Sequence, residues 1–317
     1  MRFYPFLLIS LIYLLGGCKS RKNTTPELKS PALITLGVAQ DAGYPQMACS
    51  KDCCKKVLAN PALKRFVTSL ALIDPANKKW WLFEATPDIK EQLQLFRKMT
   101  DAAYNFLPDG IFLTHGHIGH YTGLMQLGRE VMNANKVPVY VMPRMKTYLS
   151  SNGPWSQLVS LNNISLIDLN ADSAIGLTNE ISVSAFTVPH RDEFTETVGF
   201  SIKVNTHQTL FIPDIDKWNK FDRDIKELVK KSNLALLDGT FFKDGELTGR
   251  AMSEVPHPFI EESIQLFADL PAEEKKKISF IHLNHTNPLL NESSAELNDV
   301  LSKGFRVSRQ GELIVLK

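Results

Sequence analysis

Three histidines fall within the stretch Thr114-His115-Gly116-His117-Ile118-Gly119-His120. In an extended loop, side chains at i and i+2 can bring two imidazoles to one point. A third ring three residues later, at the start of a helix, can approach from the side. Burying several imidazoles without a shared partner is costly, and neutral imidazole suits zinc, iron or nickel. The spacing therefore predicts a metal site. Its gap is Gly119, which has no side chain where a carboxylate could complete the set. Of the other histidines, His190, His282 and His285 sit in or just after apolar runs, as does His115. Asp214 closes the run Leu210-Phe211-Ile212-Pro213 in the same way.

The elements that must position these residues are short. Strand-like runs cover Ala32–Val38, Ser69–Ile73, Trp80–Glu84, Gly110–Thr114, Val137–Met142 and Ile164–Leu169. They continue at Ile181–Val188, Val198–Val204, Thr209–Ile212, Leu234–Leu237 and Ile278–Leu283. Phe305–Val307 and Glu312–Val315 read as a closing hairpin around Arg309-Gln310-Gly311. Helical periodicity marks Asp88–Met99, His120–Asn133, Asp222–Lys231, Pro258–Leu270 and Ser293–Lys303. Paired strands first, then strands alternating with helices, predict an α/β sandwich in one domain. The polar candidates follow strand runs, where such folds place their sites.

Composition narrows the class. The chain has 317 residues, 44% of them apolar and 22% charged, with a formal net charge of +2. No basic block suggests a nucleic-acid groove. At the N-terminus, Met1-Arg2 precedes an apolar run from Phe3 to Leu15, then Gly16-Gly17-Cys18. This reads as a secretory signal over residues 1–17, and Leu15-Gly16-Gly17-Cys18 resembles a bacterial lipobox. That resemblance implies cleavage before Cys18 and its lipidation. Residues 18–31 then form a polar tether, and residues 32–317 form the folded domain. The expected location is the cell envelope, lipid-anchored on the periplasmic or outer-membrane side.

His115-Gly116-His117-Ile118-Gly119-His120, followed in order by His190, Asp214 and His285, resembles the H-x-H-x-D-H pattern of the metallo-β-lactamase fold superfamily. The resemblance implies an αββα sandwich with a metal centre at its edge. It assigns His115, His117 and His190 to one ion. It assigns His120, Asp214 and His285 to a second, with Asp214 able to bridge. Gly119 stands at the position of the family's second-site aspartate. Leu36–Gln46, Leu237-Asp238-Gly239-Thr240-Phe241-Phe242 and Ile281–Pro288 are similar to the coenzyme PQQ synthesis protein B branch of that superfamily.

The expected activity is metal-dependent hydrolysis of an ester, amide or phosphoester by a metal-bound hydroxide. Zinc is the first expectation, as one or two ions, with iron and manganese as alternatives. Asp214 would orient the hydroxide. Asp238, between Leu237 and Gly239, reads equally as a proton carrier and as a turn residue. His257, between two prolines, reads as a proton donor or an exposed loop residue. Two other functions stay open: an iron-dependent oxygenase like the PQQ synthesis branch, and a non-catalytic metal-binding lipoprotein. His282 reads as a core or supporting histidine, His207 as solvated, and Asp41 as a turn residue in a loop that the family resemblance puts near the metal centre. Trp80-Trp81 and Phe241-Phe242 read as core. Cys49, Cys53 and Cys54 could supply three thiolates to a zinc, with no fourth ligand obvious nearby. An extracytoplasmic setting favours a disulfide instead.

Overall fold

The computed structural model describes Met1 and residues 28–247, 251–252 and 255–317. The expected signal segment, the lipid attachment at Cys18 and most of the tether lie outside the described residues. Among the described residues no helix is long and apolar enough to cross a membrane.

Two seven-stranded sheets are stacked face to face. The first contains β1 (Ala32–Gly37), β2 (Ser69–Asp74), β3 (Lys79–Phe83), β4 (Gly110–Phe112), β5 (Val137–Val141) and β6 (Ile164–Asp168). The second runs through β7 (Ala174–Gly176), β8 (Ile181–Thr187), β9 (Val198–Val204), β10 (His207–Ile212), β11 (Leu234–Asp238), β12 (Ile278–Ile281) and β13 (Arg306–Val307). The last strand, β14 (Leu313–Val315), returns to the first sheet beside β1. The expected hairpin is thus not formed. β13 pairs with β12 and β14 with β1, so the turn at Gly311 carries the chain between sheets. Gly311 donates its N–H to Thr35, which ties this crossing to the edge of the first sheet.

The apolar runs lack strict alternation because the first sheet is covered on both faces. In β2, Leu70 and Leu72 face the space between sheets, while Ala71 and Ile73 face the outer helical layer. In β3, Trp81 and Phe83 point inward, and Trp80 and Leu82 outward. Helix Ile89–Met99 covers that outer face with Ile89, Leu93 and Phe96, spaced at i, i+4 and i+7. Phe96 stacks on Trp80 at 3.8 Å. Between the sheets, Phe83 stacks on Phe112 at 4.9 Å and meets Phe200 and Phe211 edge-on at 5.4 and 6.1 Å. Phe83→Ala removes the ring that joins the two sheets. It is expected to cost about 3–5 kcal/mol, read as a lower urea midpoint with an unchanged m-value.

One expected helix is shorter and tighter than its pattern. Instead of spanning His120–Asn133, the chain makes an α-turn at Ile118–Tyr121 and then a 3₁₀ segment, Thr122–Leu127. The reason is close packing. Gly123 donates to Ala85 at 2.8 Å, and a Cβ there would lie 2.1 Å from the Thr86 carbonyl oxygen. This pins the His120 turn against the end of β3.

β1, β3, β4, β8, β10, β11 and β12 bring their C-terminal ends to one edge of the sandwich, as the parallel and antiparallel pairings require. That edge carries the polar residues of the site.

Candidate metal centre

Loops and strand ends at this edge converge on Asp214. The H-x-H-x-x-H loop follows β4, His190 follows β8, and Asp214 follows β10. The Asp214 Oδ2 atom lies 3.3 Å from His115 Nε2 and 3.6 Å from His120 Nε2. Its Oδ1 atom lies 3.2 Å from His190 Nε2 and 3.2 Å from His257 Nδ1. His115 Nε2 and His117 Nδ1 approach to 2.8 Å. His115, His117, His190 and Asp214 therefore offer four donor atoms within 4.8 Å of one another. Thr114 Oγ1 engages the other nitrogen of His115 at 2.9 Å and leaves Nε2 facing the carboxylate. Such outer contacts fix the tautomer and direction of ligating rings.

The second group differs from the expected one. His120 is joined by His282 and Asp41, not by His285. Asp41 Oδ1 lies 3.1 Å from His120 Nε2 and 3.8 Å from His282 Nε2. The correction has a backbone cause. His282 is the first residue after β12 and adopts φ +66°, a left-handed conformation that turns its ring into the site. Leu283 then donates to Val38 at 2.7 Å, and His285 is carried to the other side of this crossing. Glu84, the first residue after β3, has φ +72° and holds a fully buried carboxylate 3.6 Å from His120 Nδ1. Two non-glycine residues in this region, each costing about 1–3 kcal/mol, mark a site the surrounding fold over-determines.

A third group adjoins both. His257 Nδ1 lies 2.8 Å from Asp238 Oδ2 as well as 3.2 Å from Asp214 Oδ1. His257 is buried, not an exposed loop residue. Asp238 also accepts from the backbone of Ile215 and from Thr240, so it anchors the loops after β10 and β11. Phe241 lies 5.7 Å from the His257 ring. The remaining histidine, His207, is half-buried, with Nδ1 3.2 Å from the carbonyl oxygen of Lys317. Trp80 and Trp81 are core residues.

His285 belongs to a separate cluster with Cys49, Cys53 and Cys54, whose donor atoms also lie within 4.8 Å of one another. All three thiols are free, so the expected disulfide is not formed. Cys53 and Cys54 sit in the first turn of helix Asp52–Ala59, and Cys49 is on the loop before it. This arrangement turns their sulfurs toward His285, which is the fourth donor absent from the sequence pattern. Three sulfurs and one imidazole match a closed tetrahedral zinc site. Burial pushes the Cys54 thiol up to about 12, helped by its contact with Cys49.

Buried polar atoms normally find hydrogen bonds. Here Asp41 Oδ1, His120 Nε2, His190 Nδ1 and Nε2, Asp214 Oδ1 and His282 Nε2 are buried with none. Metal ions are the natural partners for such a set, and the donors fit them. Around the first group, protonation points the same way. Burial drives the His115 ring well below its usual range and the His190 ring down to about 4, so both favour the neutral, ligating form. Burial would raise the Asp214 carboxyl, but the rings of His190, His257 and His115 hold it well below the ordinary carboxylate range. Burial also opposes charge on His257, but Asp238 and Asp214 overcome it and raise the ring to about 9.

Fold and donor set together define the class. A family model described as a Beta-lactamase superfamily domain matches residues 79–282, more than half of the chain, and the chain belongs to that superfamily. Its αββα sandwich is the metallo-β-lactamase fold. Within the superfamily it is similar to coenzyme PQQ synthesis protein B from Rhodopseudomonas palustris, with 26% identity covering 90% of this chain and 99% of the relative. Among solved structures, Zn2+-bound PqqB from Methylobacterium extorquens superposes with a TM-score of 0.75 at 23% identity, covering 90% of this chain and 100% of that one. A diphosphatase from the PhnP family superposes with a TM-score of 0.62 at 20% identity, covering 90% and 98%.

Proposed function

We propose that the chain is a metal-dependent hydrolase acting on an ester, amide or phosphoester bond. A divalent ion, zinc in the first instance, would be held by His115, His117, His190 and Asp214. The observation that carries this reading is the Asp214 carboxylate, each of whose oxygens lies between two imidazoles at 3.2–3.6 Å. A divalent ion at such donors supplies a Lewis acid and brings the pKa of a coordinated water toward neutrality.

The chain's own residues do the rest. Asp214 neutralises charge and fixes the direction of four rings. Asp238 holds the proton of His257 at Nδ1, so the imidazolium can serve as general acid to a leaving group. The phosphoester is the first substrate class to test, because the diphosphatase of the PhnP family shares this fold. Cys49, Cys53, Cys54 and His285 would hold a separate zinc ion with a structural role.

The test is metal analysis of purified protein alongside assays with bis(p-nitrophenyl) phosphate, p-nitrophenyl acetate and a chromogenic lactam. Metal-dependent turnover of one of them is expected, with at least a hundredfold loss in His117→Ala, about 3 kcal/mol of transition-state stabilisation. Turnover that survives both chelation and this substitution would sink the reading.

The similarity to coenzyme PQQ synthesis protein B favours a second reading, an iron-dependent oxygenase in the making of a cofactor. Imidazole and carboxylate donors also suit Fe(II). Oxygen consumption after anaerobic loading with Fe(II), without hydrolysis of any ester in the panel, would select it.

A further inference from the structure

We propose that Asp41, on the loop after β1, supplies the carboxylate missing at position 119, and that it completes a second divalent-cation site with His120 and His282. The inference rests on the metal reading of the adjoining site around Asp214, and adds an ion and a ligand to it.

Three observations converge. First, Asp41 occupies the space a side chain at position 119 would need. A Cβ built on Gly119 would lie 2.2 Å from Asp41 Oδ1, 2.6 Å from its Cα and 2.9 Å from its Cγ. The two positions cannot both carry side chains without a shift of backbone. Gly119 is thus the complement of Asp41, and not a lost ligand.

Second, the three donor atoms have no other partner. Asp41 Oδ1, His120 Nε2 and His282 Nε2 are all buried without a hydrogen bond. Both rings are fully buried. Outer contacts prepare both imidazoles for a cation. Thr240 Oγ1 donates to Asp238 Oδ1 at 2.7 Å, so at 2.9 Å it accepts from His282 Nδ1–H. That tautomer leaves a lone pair on Nε2, aimed at Asp41. On His120, Nδ1 meets Thr114 Oγ1 at 3.5 Å, with the buried Glu84 carboxylate 3.6 Å away. Asp214 Oδ2, 3.6 Å from His120 Nε2, adjoins this group and can be shared with the first site.

Third, the loop is held in place. Ala39 bridges to Val67 on one side and Leu283 on the other. Gln40 donates to Leu283, and Gly43 closes the turn on Gln40. Asp41 is thereby fastened to the strand end that carries His282, a preorganised arrangement.

Metal content by mass spectrometry, titration of the two ions and thermal unfolding test this without an activity assay. Two ions at this edge are expected in the parent protein, beside a third at the cysteine cluster, which is told apart because it persists in both His117→Ala and Asp41→Ala. Asp41→Ala and His282→Ala should keep the first ion and weaken the second at least tenfold. Gly119→Ala should also weaken the second ion by displacing Asp41. In an Asp41→Ala background it should cause no further loss, a non-additivity expected only of coupled positions. Two ions bound with unchanged affinity in Asp41→Ala would overturn the proposal. So would a single ion at this edge that survives Asp41→Ala and is lost in His117→Ala, which leaves the first site standing. No ion at this edge in the parent would overturn both readings.

Discussion

Asp214→Asn is expected to lower metal-dependent turnover about a thousandfold, or roughly 4 kcal/mol in the barrier, and to weaken first-site metal binding in parallel. The substitution is nearly isosteric, so the loss isolates charge from shape. The carboxylate faces His115 and His120 through Oδ2, and His190 and His257 through Oδ1. An amide retains one acceptor and places an NH2 against one of these pairs, where the ring nitrogens need an anion or a cation. Metal titration should show the weakened site, and circular dichroism should show an intact fold. A variant that keeps metal affinity and turnover within threefold of the parent would remove Asp214 from the centre of the mechanism.

The same geometry explains what could be read in the sequence. The strand runs were legible because both faces of the first sheet are buried, so β2 and β3 appear as near-continuous apolar segments. His115, His117, His190 and Asp214 were legible because each follows such a run, and the structure brings them together. His282 and His285 were not separable by this rule, since both follow β12 within four residues. The left-handed turn at His282 decides which ring enters the site, and no local pattern announces it. Glu84 carried one signal only, its place at the end of β3, while for Asp41 the family resemblance also put its loop near the metal centre. Asp41 was read as a turn residue because Asp-Ala-Gly suits a turn, which it also forms. The closing hairpin failed because strand partners are chosen by exposed sheet edges. β14 covers the β1 edge, and β13 covers the β12 edge.

The cysteine cluster leads to the second large effect. Cys54→Ser is expected to destabilise the zinc-loaded protein by about 5 kcal/mol, a fraction of the free energy of structural zinc binding. For a chain of this size that is a fall in Tm of roughly 10–20 °C. The argument is positional. Helix Asp52–Ala59 has only eight residues, and its buried apolar contacts are few: Cys54 and Val57 are its buried residues. So short a helix has little stability of its own. Its attachment beside the crossing that carries His282 and His285 must come from elsewhere, and four donors gathered at one point provide it. Tyr44 Oη, donating to the Cys53 carbonyl at 3.0 Å, links the same helix to the Asp41 loop. Loss of this ion should therefore loosen the Asp41 loop as well. In hydrogen exchange, amides of residues 40–44 should lose protection together with those of 52–59, while β9 and β10 stay protected. Unchanged thermal stability in Cys54→Ser, with the same zinc content as the parent, would show that this cluster holds the helix by packing alone.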